Sequence, residues 1–121
     1  MKMSELSKER VINALKEFGL SSVDIQVYIF LAKNGPNKMR EIAAAKNLNE
    51  KEVEHSLKDL LSLEIVKTSI ENPLEFNAMT FEDLIDLFIE VKKEKTKNMQ
   101  ENREELLLNW SNIMEENSSN I

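Results

Sequence analysis

The feature that most constrains the fold of this chain is the stretch from Thr80 to Asn117, which contains neither glycine nor proline. Thr80 is placed to cap a helix, with Asp83 three residues later as its partner, and nothing after them predicts a break. A helix from Phe81 to Met114 would be about 50 Å long at 1.5 Å per residue. Because such a helix must extend beyond a small domain, the sequence predicts one globular unit followed by a long C-terminal helix.

The charge and composition exclude several classes of protein. Asp and Glu total 22 against 16 Lys and Arg, and the resulting net charge of −6 argues against a protein that coats nucleic acid non-specifically. The chain has no cysteine, which excludes disulfides and the commonest structural zinc sites. The longest apolar run, Val27 to Ala32, is far shorter than the ~20 residues that span a bilayer. We therefore expect a cytoplasmic protein that does not enter membranes.

Turn and cap residues divide the first 79 residues into four short helices. Gly19 ends the first helix, and Ser21 with Asp24 begins the second. The pair Gly35-Pro36 separates the second helix from a short third helix, and Asn49 is the N-cap of a fourth. The order and spacing are those of a helix-turn-helix.

After the fourth helix the apolar period changes from helical to alternating. Glu64 to Ile70 and Leu74 to Met79 alternate in the manner of strands, and Glu71 to Pro73 has the composition of a turn. The predicted fold is mainly α with a small β-hairpin. We expect a winged helix-turn-helix domain over residues 1–79, a dimerisation helix over 80–117 and a frayed tail over 118–121.

A series of short motifs lies at fixed spacing through the first domain. The motifs are Gly19-Leu20-Ser21, Val27-Tyr28, Gly35-Pro36, Arg40-Glu41-Ile42-Ala43, Val53-x-x-x-Leu57-x-x-Leu60 and Ile65-Val66. In combination they resemble the N-terminal winged helix-turn-helix of the archaeal TrmB-like transcriptional regulators. The resemblance covers about half the chain and implies a DNA-binding regulator. Larger members carry a sugar-binding domain after this region, and we expect a short form without that effector-binding domain.

The sequence departs from the family pattern at charged and glycine positions. Where the family often has Arg or Lys, this chain has Glu50 and Glu52 at the start of the recognition helix, and Leu74 and Glu75 in the wing. Glu64 stands where a glycine usually precedes the first wing strand.

The fourth helix, residues 50–63, nevertheless has a basic outward edge. At 100° per residue its inward face is centred on Val53, Ser56, Leu57, Leu60 and Glu64. The opposite face carries Lys51, His55, Lys58 and Ser62. A similar stripe is also typical of any solvated helix, so the stripe alone does not decide the function.

We predict that this edge contacts double-stranded DNA, with added contacts from the third helix and the wing. Lysine, serine and histidine can bond base edges or phosphates, and a glutamate can accept from a cytosine amine. The predicted DNA-binding residues are Asn37, Lys38, Arg40, Asn49, Lys51, Glu54, His55, Lys58, Ser62, Lys67 and Asn72.

Two functions remain open at this point. The first is a sequence-specific transcriptional regulator. The second is a winged-helix protein-interaction module in a transcription-related assembly, which the acidic wing and the net charge favour. No catalytic residue, metal site or cofactor is predicted, because His55 is the only histidine and no glycine-rich loop is present.

The long helix predicts a homodimer, because two apolar patches flank a charged segment in which only Met99 is apolar. A single small domain cannot cover both patches, so a partner helix is needed in a dimeric coiled coil. The predicted interface consists of Leu84, Ile85, Phe88, Val91, Met99, Leu106, Leu107, Trp110, Ile113 and Met114.

We favour antiparallel pairing of these helices. Reflection through Met99 sets Leu84 opposite Met114 and Val91 opposite Leu107, so the first apolar patch of one chain faces the second patch of the other. Residues 92–97 hold four lysines and one glutamate, whereas residues 101–105 hold three glutamates and one arginine, and antiparallel packing places these segments together. DNA half-sites would then lie more than ~34 Å apart. In the alternative, the first patch packs on its own domain and the second dimerises in parallel.

Overall fold

The computed structural model describes residues 5–69 and 74–116 and divides the chain into two compact units. The first unit runs from Met1 to Leu84 and the second from Ile85 to Ile121. The predicted turn at Glu71 to Pro73, which includes Asn72, and the predicted tail at residues 118–121 lie outside the described residues.

Four helices form most of the first unit, as the cap and turn residues predict. The N-cap predictions are confirmed for two of them: Ser21 Oγ accepts the N–H of Asp24 at 3.1 Å, and Asn49 Oδ1 accepts the N–H of Lys51 at 2.7 Å. The helices are α1 (Glu5–Glu17), α2 (Ser22–Asn34), α3 (Met39–Lys46) and α4 (Glu50–Ser62).

Three of these helices end in the same hydrogen-bond motif. In each, a residue one or two positions beyond the helix has positive φ and donates its N–H to the carbonyl three residues back. The next residue donates to the carbonyl five residues back. The residues at positive φ are Gly19 after α1 (94°), Asn47 after α3 (52°) and Glu64 after α4 (62°). Gly19 and Asn47 suit this conformation, whereas glutamate does not.

The inward position predicted for Glu64 is wrong, because α4 ends before it. Glu64 is exposed and lies where the chain reverses from α4 towards the first strand. The reversal lets the N–H of Ile65 bond the carbonyl of Leu60, and both of these side chains are fully buried.

The hairpin that follows α4 is shorter than predicted. The strands are β1 (Val66–Thr68) and β2 (Phe76–Ala78), antiparallel with Lys67 opposite Asn77. Asn37, before α3, forms a one-residue bridge to β2 through two backbone bonds with Phe76, of 3.1 and 2.8 Å. This bridge fixes the start of the helix-turn-helix to the wing.

The core of the first unit is formed where α2 packs against α4 and β2. The Tyr28 hydroxyl donates to the backbone carbonyl of Met79 at 2.8 Å, and burial raises the pKa of this phenol. The bond connects α2 with the segment that leads from β2 into the next helix. The side chains with less than 2% exposure include Leu15, Val27, Leu31, Ile42, Val53, Leu60, Ile65, Val66 and Leu84.

The long C-terminal helical segment is confirmed, but it is not continuous. It consists of α5 (Phe81–Glu101) and α6 (Arg103–Glu115), with Asn102 between them at φ −97° and ψ 5°. Helical hydrogen bonds continue on both sides, from Asn102 N–H to the Asn98 carbonyl at 3.1 Å and from Leu106 N–H to the Asn102 carbonyl at 2.9 Å. The prediction considered only glycine and proline as breakers, whereas asparagine is also a weak helix former.

Within residues 5–69 and 74–116, none of the helices is both long enough and apolar enough to cross a bilayer.

Replacing Glu64 with glycine should stabilise the protein. The left-handed conformation strains a glutamate, and relief of this strain outweighs the added entropy of the unfolded chain, so the free energy of unfolding should rise by about 1 kcal/mol. Urea unfolding measures the change. Asn47→Gly is the matched control, with a smaller expected gain because asparagine tolerates positive φ. Equal effects of the two substitutions would contradict the strain at Glu64.

Candidate nucleic-acid interface

A buried polar contact holds α4 against α2. Ser56 Oγ donates to Asp24 Oδ1 at 2.6 Å, and the two residues are only 2% and 6% exposed. The other oxygen of the same carboxylate accepts the N–H of Ser21 at 3.0 Å. One carboxylate therefore completes the cap of α2 and fixes the position of α4, since a buried hydrogen-bonded group is costly to displace.

The two faces of α4 differ in burial, as the period of 100° per residue predicts. Val53, Leu57 and Leu60 are buried together with Ser56. All four residues of the predicted basic edge are exposed, namely Lys51, His55, Lys58 and Ser62. The Ser62 hydroxyl donates to the carbonyl of Asp59 at 2.7 Å.

Most of the positive charge near this edge is paired with carboxylates. Lys58 Nζ lies 3.4 Å from Glu54 Oε1 on the same helix. His55 Nε2 lies 3.5 Å from Asp59 Oδ2, which is an ion pair when the imidazole is protonated. Within the described ranges, Lys51 has no ion-pair partner.

A third ion pair joins α3 and α4, the two helices of the helix-turn-helix. Arg40 Nε on α3 lies 3.8 Å from Glu50 Oε1 in the first turn of α4. Both side chains are largely exposed, so the attraction is weak and other charges can compete for either group.

The N-terminus of α3, which carries the predicted DNA contacts Asn37, Lys38 and Arg40, is partly occupied by a carboxylate of the same helix. Glu41 Oε1 accepts the N–H of Lys38 at 2.8 Å, so a carboxylate already occupies part of this helix end. The Asn37 amide donates to the carbonyl of Gly35 at 3.0 Å, and its backbone is held by the bridge to β2. The side chains of Lys38 and Arg40 remain exposed.

The wing contributes one cation among the residues that the structure describes. Lys67 is exposed at the centre of β1. Its neighbour Ser69 closes the hairpin, because its N–H donates to the Glu75 carbonyl at 2.9 Å and its Oγ accepts the Glu75 N–H at 3.1 Å. Asn72, the other predicted wing contact, lies outside the described residues.

Sequence analysis missed the carboxylates as partners of the basic edge. Their i,i+4 spacing could have indicated the Glu54 to Lys58 and His55 to Asp59 pairs. The Arg40 to Glu50 pair had no such signal, because it depends on how the turn sets α3 against α4.

The predicted dimer residues fall into three groups by exposure. Leu84 and Phe88 are buried within the single chain, at 0% and 6% exposure, and offer a partner almost no surface. Ile85 is half-buried. The remaining predicted residues are 41 to 67% exposed, namely Val91, Met99, Leu106, Leu107, Trp110, Ile113 and Met114.

A known protein family matches more than half of the sequence. The family described as "Sugar-specific transcriptional regulator TrmB" matches residues 15–82. The match covers the helix-turn-helix, the hairpin and the start of α5. An uncharacterised protein of Methanocaldococcus jannaschii, MJ1503, is 27% identical over 110 residues, which is 86% of this chain and 82% of that protein.

Solved structures share the fold. TrmBL2, described as an archaeal chromatin protein with a novel mode of DNA binding, matches with a TM-score of 0.68 and 22% identity over 91% of this chain and 44% of its own. A possible transcriptional regulator from Methanosarcina mazei matches with a TM-score of 0.63 and 15% identity over 80% of this chain and 86% of its own. At these identities the likeness concerns the fold alone.

Removal of the Ser56 hydroxyl should destabilise the protein. Ser56→Ala leaves a buried carboxylate oxygen without its donor, so the free energy of unfolding should fall by about 1 to 3 kcal/mol. Ser62→Ala, on the exposed face of the same helix, should change it by less than about 0.5 kcal/mol. Urea unfolding compares the two variants, and a loss at Ser56 no larger than at Ser62 would show that the Asp24 contact does not hold α4.

Proposed function

The chain belongs to the TrmB family of transcriptional regulators, which are winged-helix DNA-binding proteins, and we propose that it binds specific duplex DNA sequences as a homodimer. In this proposal α4 enters the major groove, and Lys67 of β1 with Arg40 of α3 contact phosphates on either side. The family is one of regulators rather than enzymes, and no catalytic role is proposed.

The proposal rests on the exposed edge of α4, because the opposite face of this helix is buried and held in place. The buried bond between Ser56 and Asp24 and the apolar residues beside it leave α4 a single orientation. Lys51, His55 and Lys58 then project from one side, at a spacing that suits base edges and phosphates in one groove.

The alternative, a protein-interaction module, is supported by the carboxylates around this edge. Glu54, Asp59 and Glu50 lie beside cations that would otherwise face phosphate, and a protein partner with mixed charges could pair with both signs.

Binding to fragmented genomic DNA distinguishes these functions. Fluorescence anisotropy across a salt titration should show affinity that falls with salt, together with fragments that stay bound at moderate ionic strength. The double variant Lys51→Glu/Lys58→Glu should lose at least about tenfold in affinity, because two cations become anions at the groove.

The matched control places the same charge change on α1, outside the helix-turn-helix. Lys8→Glu/Lys16→Glu should weaken binding much less than the α4 variant. An equal loss in both variants would indicate a dependence on net charge only. Absence of binding by the natural sequence at low salt would reject the DNA-binding proposal in favour of the protein-interaction module.

The homodimer is supported by an apolar stripe along the second unit, which is exposed except at the half-buried Ile85. Ile85, Met99, Leu106 and Ile113 are spaced by seven residues or a multiple of seven, which is the repeat of a coiled coil. Ile89 and Trp110 lie four residues after Ile85 and Leu106 and complete the stripe. Ile89 was not among the predicted residues, although it is 43% exposed. The proposed interface does not use Leu84 or Phe88.

Antiparallel pairing fits the two ends of this stripe and the charges between them. Reflection through Met99 places Ile85 opposite Ile113, so the apolar ends meet and Met99 lies beside the two-fold axis. The lysine-rich segment 92–97 of one chain then faces the glutamate-rich segment 101–105 of the other. Parallel pairing would place like charges together.

A single cysteine at the proposed axis tests the orientation. The natural chain has no cysteine, so Met99→Cys introduces one thiol per protomer. In the antiparallel dimer two such thiols meet, and mild oxidation should convert most of the protein into a covalent dimer on non-reducing gels.

Leu106→Cys is the control that distinguishes the two orientations. In an antiparallel dimer its two copies lie about 21 Å apart along the axis and cannot form a disulfide. In a parallel dimer they face each other and would cross-link. A parallel dimer would cross-link at both Met99 and Leu106, so any efficient cross-linking at Leu106 would reverse the proposed orientation. Monomers at micromolar concentration by light scattering would reject the dimer.

A further inference from the structure

We propose that the carboxylates beside the basic edge of α4 set its specificity, by weakening its binding to DNA that lacks the target sequence. The proposal rests on the DNA binding proposed above and concerns Glu54 above all, with Asp59 and Glu50 in similar positions.

Each of these carboxylates lies beside a basic side chain on or next to the proposed DNA-facing edge, and the histidine is a cation only when it is protonated. Glu54 lies 3.4 Å from Lys58, Asp59 lies 3.5 Å from His55, and Glu50 lies 3.8 Å from Arg40. The side chains are 52 to 88% exposed, so the pairs do not cover the core and both partners are accessible to an approaching duplex.

Such pairs oppose binding that depends on phosphates alone. Non-specific affinity comes from cations that release counterions from DNA, and a cation already balanced by a carboxylate gives a smaller gain. When Lys58 moves to a phosphate, Glu54 is left close to the same negative backbone and repels it. Each pair therefore lowers affinity for any duplex, whatever its sequence.

A matching base sequence can compensate for this loss. A lysine can donate to guanine, and a glutamate can accept from the amine of cytosine, so Glu54 and Lys58 can both find partners in the major groove of a suitable site. Because a wrong sequence leaves the carboxylate without a donor, the pair penalises wrong sites more than right ones.

The test compares Glu54→Gln with the natural protein on two duplexes, one with the preferred fragment and one of scrambled sequence. Removal of the charge should strengthen binding to the scrambled duplex about threefold or more, because Lys58 is released. The plot of log affinity against log salt should become steeper by up to about 0.9, the value for one further phosphate contact. The preference for the specific fragment should fall.

Two further variants show whether the gain in affinity comes from the ion pair between Glu54 and Lys58. Glu52→Gln makes the same charge change on the same helix, at a glutamate with no ion-pair partner among the described residues, and should leave the salt slope unchanged. The double variant Glu54→Gln/Lys58→Gln should bind the scrambled duplex no better than the natural protein, since the released cation is gone.

The outcomes separate this proposal from the one on which it rests. If the natural protein selects fragments but Glu54→Gln and Glu52→Gln behave alike on the scrambled duplex, the role of the ion pair is rejected and DNA binding stands. A gain in affinity that persists in the double variant also rejects it. If none of the proteins binds either duplex at low salt, both proposals fail.

Discussion

The arrangement of the helix-turn-helix depends on one buried carboxylate. Asp24 accepts hydrogen bonds from the backbone at the start of α2 and from Ser56 in the middle of α4, and it is shielded from water. A carboxylate in this position must keep its donors, because an unpaired buried charge is strongly unfavourable. Helices α2 and α4 are therefore held in register by a directional contact as well as by apolar packing.

This fixed orientation explains how an acidic helix can serve a DNA-binding family. The side of α4 that is held inward is apolar, and its glutamates lie at the first turn and along the flanks. Lys51, His55 and Lys58 occupy the remaining outward edge. The net charge of α4 is a poor guide to its outward edge, because the direction in which each charged side chain points matters more than the total.

Much of the fold was predictable because its signals are local. Caps such as Ser21 and Asn49, the helical period and the alternation of the strands involve residues only a few positions apart. The contacts between Asp24 and Ser56 and between Arg40 and Glu50 join distant segments, and no local pattern indicates them. Asn102 was missed for a different reason, because a single weak helix former changes the local geometry without ending the helical hydrogen bonding.

The three helix ends that share one backbone motif have a consequence for recognising distant relatives. Positions 19, 47 and 64 carry glycine, asparagine and glutamate, yet the two hydrogen bonds and the positive φ are the same at each. Three different residue types thus occupy the same turn, and after Glu64 the turn brings Ile65 into the core. Backbone conformation can therefore be preserved at a position where comparison of residue types finds no similarity at all.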